Sequence, residues 1–318
     1  MRAVKFHETG GSDVLRVEDV PTPTPGPDEV LVQVAAAGVN PVDTYSRRGN
    51  REPPAFPMTP GADLAGVVES VGANVTAFSE GDRVFGTGLG RTQQGTYAEY
   101  AVARPDQLAR LPDGVSYAEG AAVALVGVTA WRALVDHANL DPAETCLIHG
   151  GSGGVGHVAV QIADAAGATV LATANEEYGR SLPNLGADVV LDYERDDLAD
   201  AVVEAGRPDV ILDHRLDEYL DFDAAVAAQG ARLVGIGNTT TAAGFSDITA
   251  ARRAELTVSL MSMFNTPDIS AVLGRLARLL SAGRLAPEVS RTYDLDEAGA
   301  AQDAVLNDSV FGKLVITP

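Results

Sequence analysis

The densest chemical signal in the chain is LIHGGSGGVGHVAVQIADAAG, from Leu147 to Gly167. Gly151, Gly153 and Gly156 stand in G-x-G-x-x-G spacing, directly after an apolar run and at the opening of a helical pattern. Val155, Val158, Ala159 and Ile162 recur at helical spacing, as a helix laid on a sheet requires. Glycines let a main chain approach a pyrophosphate closely, and a helix start offers unpaired amides and a positive dipole end. The loop Gly151, Ser152, Gly153, Gly154, Val155, Gly156 is therefore expected to hold a dinucleotide. The next extended run ends at Ala174, where a site for NAD usually carries an acid about 20 residues past the loop. A small Ala174 leaves room for a 2′-phosphate, and Asn175, Tyr178, Arg180 and Tyr193 stand where they could contact one. Glu176 and Glu177 in the same loop count against this. The balance favours NADPH.

The elements that must position this loop follow from pattern. Up to about residue 116 the chain breaks into short extended runs (1–6, 29–37, 65–71, 96–102), most of them bounded by Gly or Pro, and predicts a compact β-rich domain. The proline-dense stretches 21–29 and 51–61 read as stiff connections, because proline lacks the amide that strands and helices need. Beyond Tyr117, extended runs (145–148, 169–174, 188–191, 210–213, 231–236) alternate with helical ones (116–136, 156–166, 221–229). That alternation implies βαβ units and a parallel sheet. A helix over 269–282, an extended 286–295, a helix over 297–307 and a strand over 312–317 close the chain.

Composition narrows the function. The 318 residues include 44 acids and 23 bases, a net charge of -21, which repels nucleic-acid backbones and anionic membranes. No nucleic-acid or membrane partner is expected. The N-terminal segment lacks the apolar core of a signal peptide. A cytoplasmic protein is expected, and the acidic excess suits a salt-rich cytosol. The single cysteine, Cys146, cannot form an internal disulfide or a thiolate metal cluster. The histidines His7, His137, His149, His157 and His214 lack metal-site spacing, so each is expected to be structural.

The series GVNPVDTYSRRG at Gly38, PGADLAGVVESVG at Pro60, GDRVFG at Gly81, GTYAEYAVA at Gly95, VTAWRAL at Val128, GGSGGVG at Gly150 and FGKLVI at Phe311 resembles the zinc-independent quinone oxidoreductase branch of the medium-chain dehydrogenase/reductases. The resemblance implies an α/β protein: a GroES-like β-rich catalytic domain (1–121, completed by 267–318) and a doubly wound Rossmann domain (122–266). It implies NADPH, a small quinone or enone substrate, and a homodimer paired through Rossmann edge strands near 255–264. It places Asn40 and Tyr45 as hydrogen-bond donors at the reacting oxygen, Thr129, Gly235 and Gly237 near the nicotinamide, and Lys313 at the cofactor. Asp43 is expected to organise its loop.

Where zinc-dependent relatives carry a cysteine and a Gly-His-Glu, this chain has Asn40 and Gly61, Ala62, Asp63, so no metal is expected. Without a Lewis acid, hydride transfer is easiest to an acceptor that is already electrophilic. A quinone or an α,β-unsaturated carbonyl fits. An enoyl thioester, or NADPH binding with little turnover, are the alternatives. One departure stands out: small residues usually follow Asp213 in the family, and here His214, Arg215, Leu216 and Asp217 do.

Overall fold

The computed structural model describes all 318 residues. In chain order, the strands are β1 (Arg2–Lys5), β2 (Arg16–Asp19), β3 (Val30–Val39), β4 (Leu64–Val71), β5 (Arg83–Gly86), β6 (Tyr100–Ala103) and β7 (Leu108–Arg110). Helix α1 (Tyr117–Trp131) continues as a π-helical turn, Arg132–His137. Then come β8 (Thr145–Ile148), α2 (Gly156–Ala166), β9 (Thr169–Ala174), α3 (Glu176–Gly179), β10 (Val189–Asp192), α4 (Leu198–Ala205), β11 (Val210–Asp213), α5 (Leu216–Val226), β12 (Arg232–Gly235), α6 (Thr249–Arg253) and β13 (Thr257–Leu260). The chain ends with α7 (Ile269–Ser281), β14 (Val289–Asp294), α8 (Ala298–Asn307) and β15 (Lys313–Thr317).

Two compact units result. The first, Met1–Val128 with Pro267–Pro318, is β-rich. Its seven-stranded sheet runs β14-β15-β3-β4-β5-β7, with β6 also paired to β3. β3 is the hub: its apolar residues Val30, Val32, Val34, Ala37 and Val39 lie in one core with Leu64, Val84, Leu314 and Ile316. β1 pairs with β2 and is bridged at one point, Ala3 to Ala98, to the chain just ahead of β6, and the extended run expected at 96–102 forms a strand only from Tyr100.

The second unit, Thr129–Thr266, holds a six-stranded sheet ordered β10-β9-β8-β11-β12-β13. Every neighbouring pair is parallel. Strand order reverses between β8 and β11, so the crevice outside their carboxyl ends is where this architecture takes ligands. The division falls inside α1, seven residues beyond the expected 121/122 position, because the helix is one uninterrupted apolar run. α1 and its π-turn are long and apolar enough to cross a bilayer, yet most of the segment is buried in the protein, which makes it a core helix. The helix expected over 221–229 is instead α5, starting at Leu216. Its buried face, Leu216, Leu220, Asp223, Ala224 and Val226, is interleaved with acids that hide the period.

Candidate functional site

In the second unit β8 leads into the glycine loop. The Gly151 amide donates to the Thr173 carbonyl at 2.7 Å, and the Gly150 amide to the Thr173 hydroxyl at 3.1 Å, which ties the loop to β9. A Cβ on Gly156 would lie 2.0 Å from the Gly150 carbonyl oxygen. Only glycine fits, so the turn closes tightly onto the start of α2. Val155 supplies no side-chain cap to α2. The amides of Gly154 and Val155 meet no protein acceptor, and orphan amides at a helix start suit an anion.

The second strand, β9, ends at the buried Ala174. Asn175 is spent locally, its Oδ1 accepting from the Tyr178 amide at 2.8 Å to cap α3. Arg180 pairs with Glu176 at 2.9 Å, both well exposed, and such a pair exchanges readily for a stronger anion. Tyr193 is exposed at the end of β10. Gly235 ends β12, the Gly237 carbonyl accepts from the Leu216 amide at 3.1 Å, and Thr129 is buried on α1.

Beneath the loop lies a group that sequence patterns did not single out. The His149 Nε2 is 2.8 Å from an Asp223 carboxylate oxygen, both side chains fully enclosed. Tyr219 stacks on the imidazole at 4.5 Å. Burial and the Asp223 charge raise the Asp213 carboxyl to about 7.

In the first unit the end of β3 and a 3-10 turn, Pro41–Thr44, build a buried polar network. Asn40 is 1% exposed. Its Nδ2 donates to Asp63 at 2.8 Å and reaches Asp43 at 3.5 Å, while the Lys313 ammonium donates to its Oδ1 at 2.7 Å. Lys313 also bonds the Val39 carbonyl at 2.5 Å. Asp43 accepts from the Asn40 amide and the Tyr97 hydroxyl, at 2.9 and 3.0 Å. Burial, then repulsion from Asp63, raises Asp43 to about 7. Burial raises Asp63 to about 6 against the pull of Lys313, and burial lowers the Lys313 ammonium. One ammonium neutralises one carboxylate, so the other keeps its proton near neutrality.

Two expectations change here. Asn40 has no amide free for a substrate, because its hydrogens are committed to carboxylates and its oxygen to Lys313. Lys313, expected at the cofactor, is 4% exposed and holds Asn40 and the end of β3 in place. Asp43 organises its turn through the Asn40 amide. Tyr45 differs from both: it ends the 3-10 turn, is 43% exposed, and no protein group bonds its hydroxyl. The roles of Asp63 and Tyr97 were missed. Asp63 was legible only as the place where a Gly-His-Glu is absent, and Tyr97 sits in a strand-like run. A zinc ion does not fit this arrangement. The position of the sulfur ligand is an amide whose oxygen is occupied by an ammonium, and no three His, Cys, Asp or Glu side chains are grouped to hold a metal.

One unit with a doubly wound parallel sheet and a glycine-loop crevice, and another, β-rich unit carrying the acid, amide and phenol groups, together define a nucleotide-dependent oxidoreductase scaffold of the alcohol dehydrogenase type. Residues 26–113 match the family model "Alcohol dehydrogenase GroES-like domain", and 185–316 match "Zinc-binding dehydrogenase". The chain is 34% identical to the quinone oxidoreductase of Homo sapiens over 99% of this chain and 97% of that one. It is 32% identical to the quinone oxidoreductase of Pseudomonas aeruginosa over 100% and 99%. Escherichia coli quinone oxidoreductase, solved in complex with NADPH, superposes with a TM-score of 0.89 at 26% identity, covering both chains fully. A structure described as an NAD-dependent alcohol dehydrogenase gives 0.92 at 32% identity, again over both full chains. The chain belongs to the quinone oxidoreductase family of the medium-chain dehydrogenase/reductases.

Proposed function

We propose that the protein is a zinc-independent, NADPH-dependent reductase of quinones or α,β-unsaturated carbonyls. The observation that carries this reading is the Lys313–Asn40–Asp63 network, which fills with hydrogen bonds the place where zinc-dependent relatives hold their metal. NADPH, when bound, supplies a hydride. The glycine loop and the start of α2 would hold its pyrophosphate. Ala174, with Tyr178, Arg180 and Tyr193, would accommodate the 2′-phosphate, once Arg180 leaves Glu176. The Tyr45 hydroxyl meets the acceptor oxygen on which charge gathers and can pass it a proton. The Asn40–Asp43–Asp63–Lys313 network fixes the turn that carries Tyr45 and lends it no proton directly.

The likeness to a protein described as NAD-dependent makes cofactor preference the first thing to measure. Oxidation of NADPH and NADH is followed at low and molar KCl against quinones, enones and an enoyl thioester, with and without a chelator. Quinone- or enone-dependent turnover that prefers NADPH and ignores the chelator supports the reading. Thioester turnover alone would shift the substrate class, and tight NADPH binding with no turnover would make the protein a binder. The open edge strand β13, with Leu260 73% exposed and Val258 beside it on the strand, supports pairing with a second copy. Light scattering tests that state.

A further inference from the structure

The family departure after Asp213 has a definite place in the second unit. His214 follows the last residue of β11, at the point where strand order reverses beside β8. Its imidazole presses on the first turn of the glycine loop: a Cβ built on Gly150 would lie 2.8 Å from His214 Cε1 and 3.2 Å from its Nε2. The ring is solvent-exposed yet sits in a concavity crowded by protein. Tyr219 of α5 lies beside it, ring centres 6.3 Å apart. Small side chains here would leave the crevice floor bare, whereas this chain lines it with a titratable aromatic ring.

We propose that His214 directly contacts the phosphate-bearing backbone of the bound dinucleotide, in a protonated state. The proposal rests on the NADPH reading above. The groups facing the ring account for its behaviour. Crowding, then His149 and Arg215, lower its basicity, and Glu218 and a hydrogen bond with the His149 backbone oppose them weakly. Glu218 is itself held by Arg215 at 2.5 Å. Buried Asp213 precedes the ring, its carboxylate accepting from the Arg215 amide at 2.6 Å. The free imidazole is therefore neutral near neutral pH. An anion laid along the glycine loop adds a negative charge directly beside the ring and draws a proton onto it. Binding then takes up a proton, is tightest at low pH, and loses this advantage as pH rises through the value of the bound ring.

Calorimetric titration with NADP+ and with ADP-ribose tests this, using wild type, His214→Gln and His214→Val at about pH 6 and about pH 8 in two buffers of different ionisation enthalpy. ADP-ribose lacks the 2′-phosphate, whose own titration near pH 6 would otherwise confuse the result. Both variants are expected to bind about tenfold more weakly than wild type near pH 6, the strength of one charge-assisted hydrogen bond, and within about twofold near pH 8. The proton uptake of wild type is expected to fall in both. Equal losses at both pH values, unchanged proton uptake, or tighter binding by the variants overturns the proposal, the last making His214 an obstruction. Wild type that binds neither ligand overturns the dinucleotide reading as well, whereas normal wild-type binding with no variant effect overturns the His214 contact alone.

Discussion

Replacing Asp43 by Asn is expected to flatten the dependence of stability on pH. Asp43 is enclosed beside a second carboxyl, Asp63, with one ammonium between them, and its folded-state value is raised from 3.8 to about 7. A carboxyl raised on folding holds its proton in the folded state over a range where the unfolded chain has lost it. Stability therefore falls as pH rises from the unfolded value to the folded one, and the loss is complete above it. At 1.36 kcal/mol per unit the full loss is about 4 kcal/mol, of which about 2 kcal/mol should appear between about pH 5 and pH 7. Asn presents a carbonyl oxygen to the donors that Asp43 now serves, the Asn40 amide and the Tyr97 hydroxyl, without a charge to bury. Urea midpoints at several pH values measure both proteins. Asp63, raised to about 6, and Asp213, raised to about 7, add their own slopes to each, so the difference between the two proteins is the quantity to read. A wild-type slope that persists unchanged in the variant would refute the assignment of a buried, proton-holding carboxyl at position 43.

Gly156→Ala forces a Cβ to within 2.0 Å of the Gly150 oxygen, so the loop must open. It should cost about 1–3 kcal/mol in thermal or urea unfolding, and weaken NADPH binding in fluorescence titration more than tenfold. Tyr45→Phe removes an exposed hydroxyl, so stability and NADPH affinity should hold while kcat falls about 100-fold, as for loss of a proton donor. Lys313→Met leaves Asp63 buried with no cation and should cost about 3–5 kcal/mol in urea unfolding.

The parts of the fold set by a single strong period were readable in the chain. β8, α2 and β9 begin and end where their apolar runs do, and the glycines between them have one backbone solution. α5 was misplaced because Asp223, an acid, points inward to His149, so a charged residue occupies a core position and breaks the period. The same logic explains Asn40 and Lys313. Each looked like a group free for ligand chemistry, and only the three-dimensional pairing of β3 with β15 shows them bonded to each other. Tyr45 was singled out through the resemblance alone, and the structure adds that it ends a proline-initiated turn and is exposed.

That β3–β15 pairing also sets an order of assembly. Leu314 pairs with Val39 and Ile316 with Ala37, partners separated by almost the entire chain. β3 leaves a ribosome early and β4 and β6 soon follow to pair with it, but the partner of its last residues, Ala37–Val39, does not exist until translation is nearly finished. The second unit, contiguous between Thr129 and Thr266, can complete its sheet in the meantime. The first unit is completed last, closing a very long loop, so part of its apolar surface stays exposed for most of synthesis. Loss of only the last few residues would leave the end of β3, Ala37–Val39, without its partner and strip Lys313 of the strand that holds it. A premature stop near the C-terminus should therefore produce aggregation of the first-made part of the protein, while the nucleotide-binding unit stays folded.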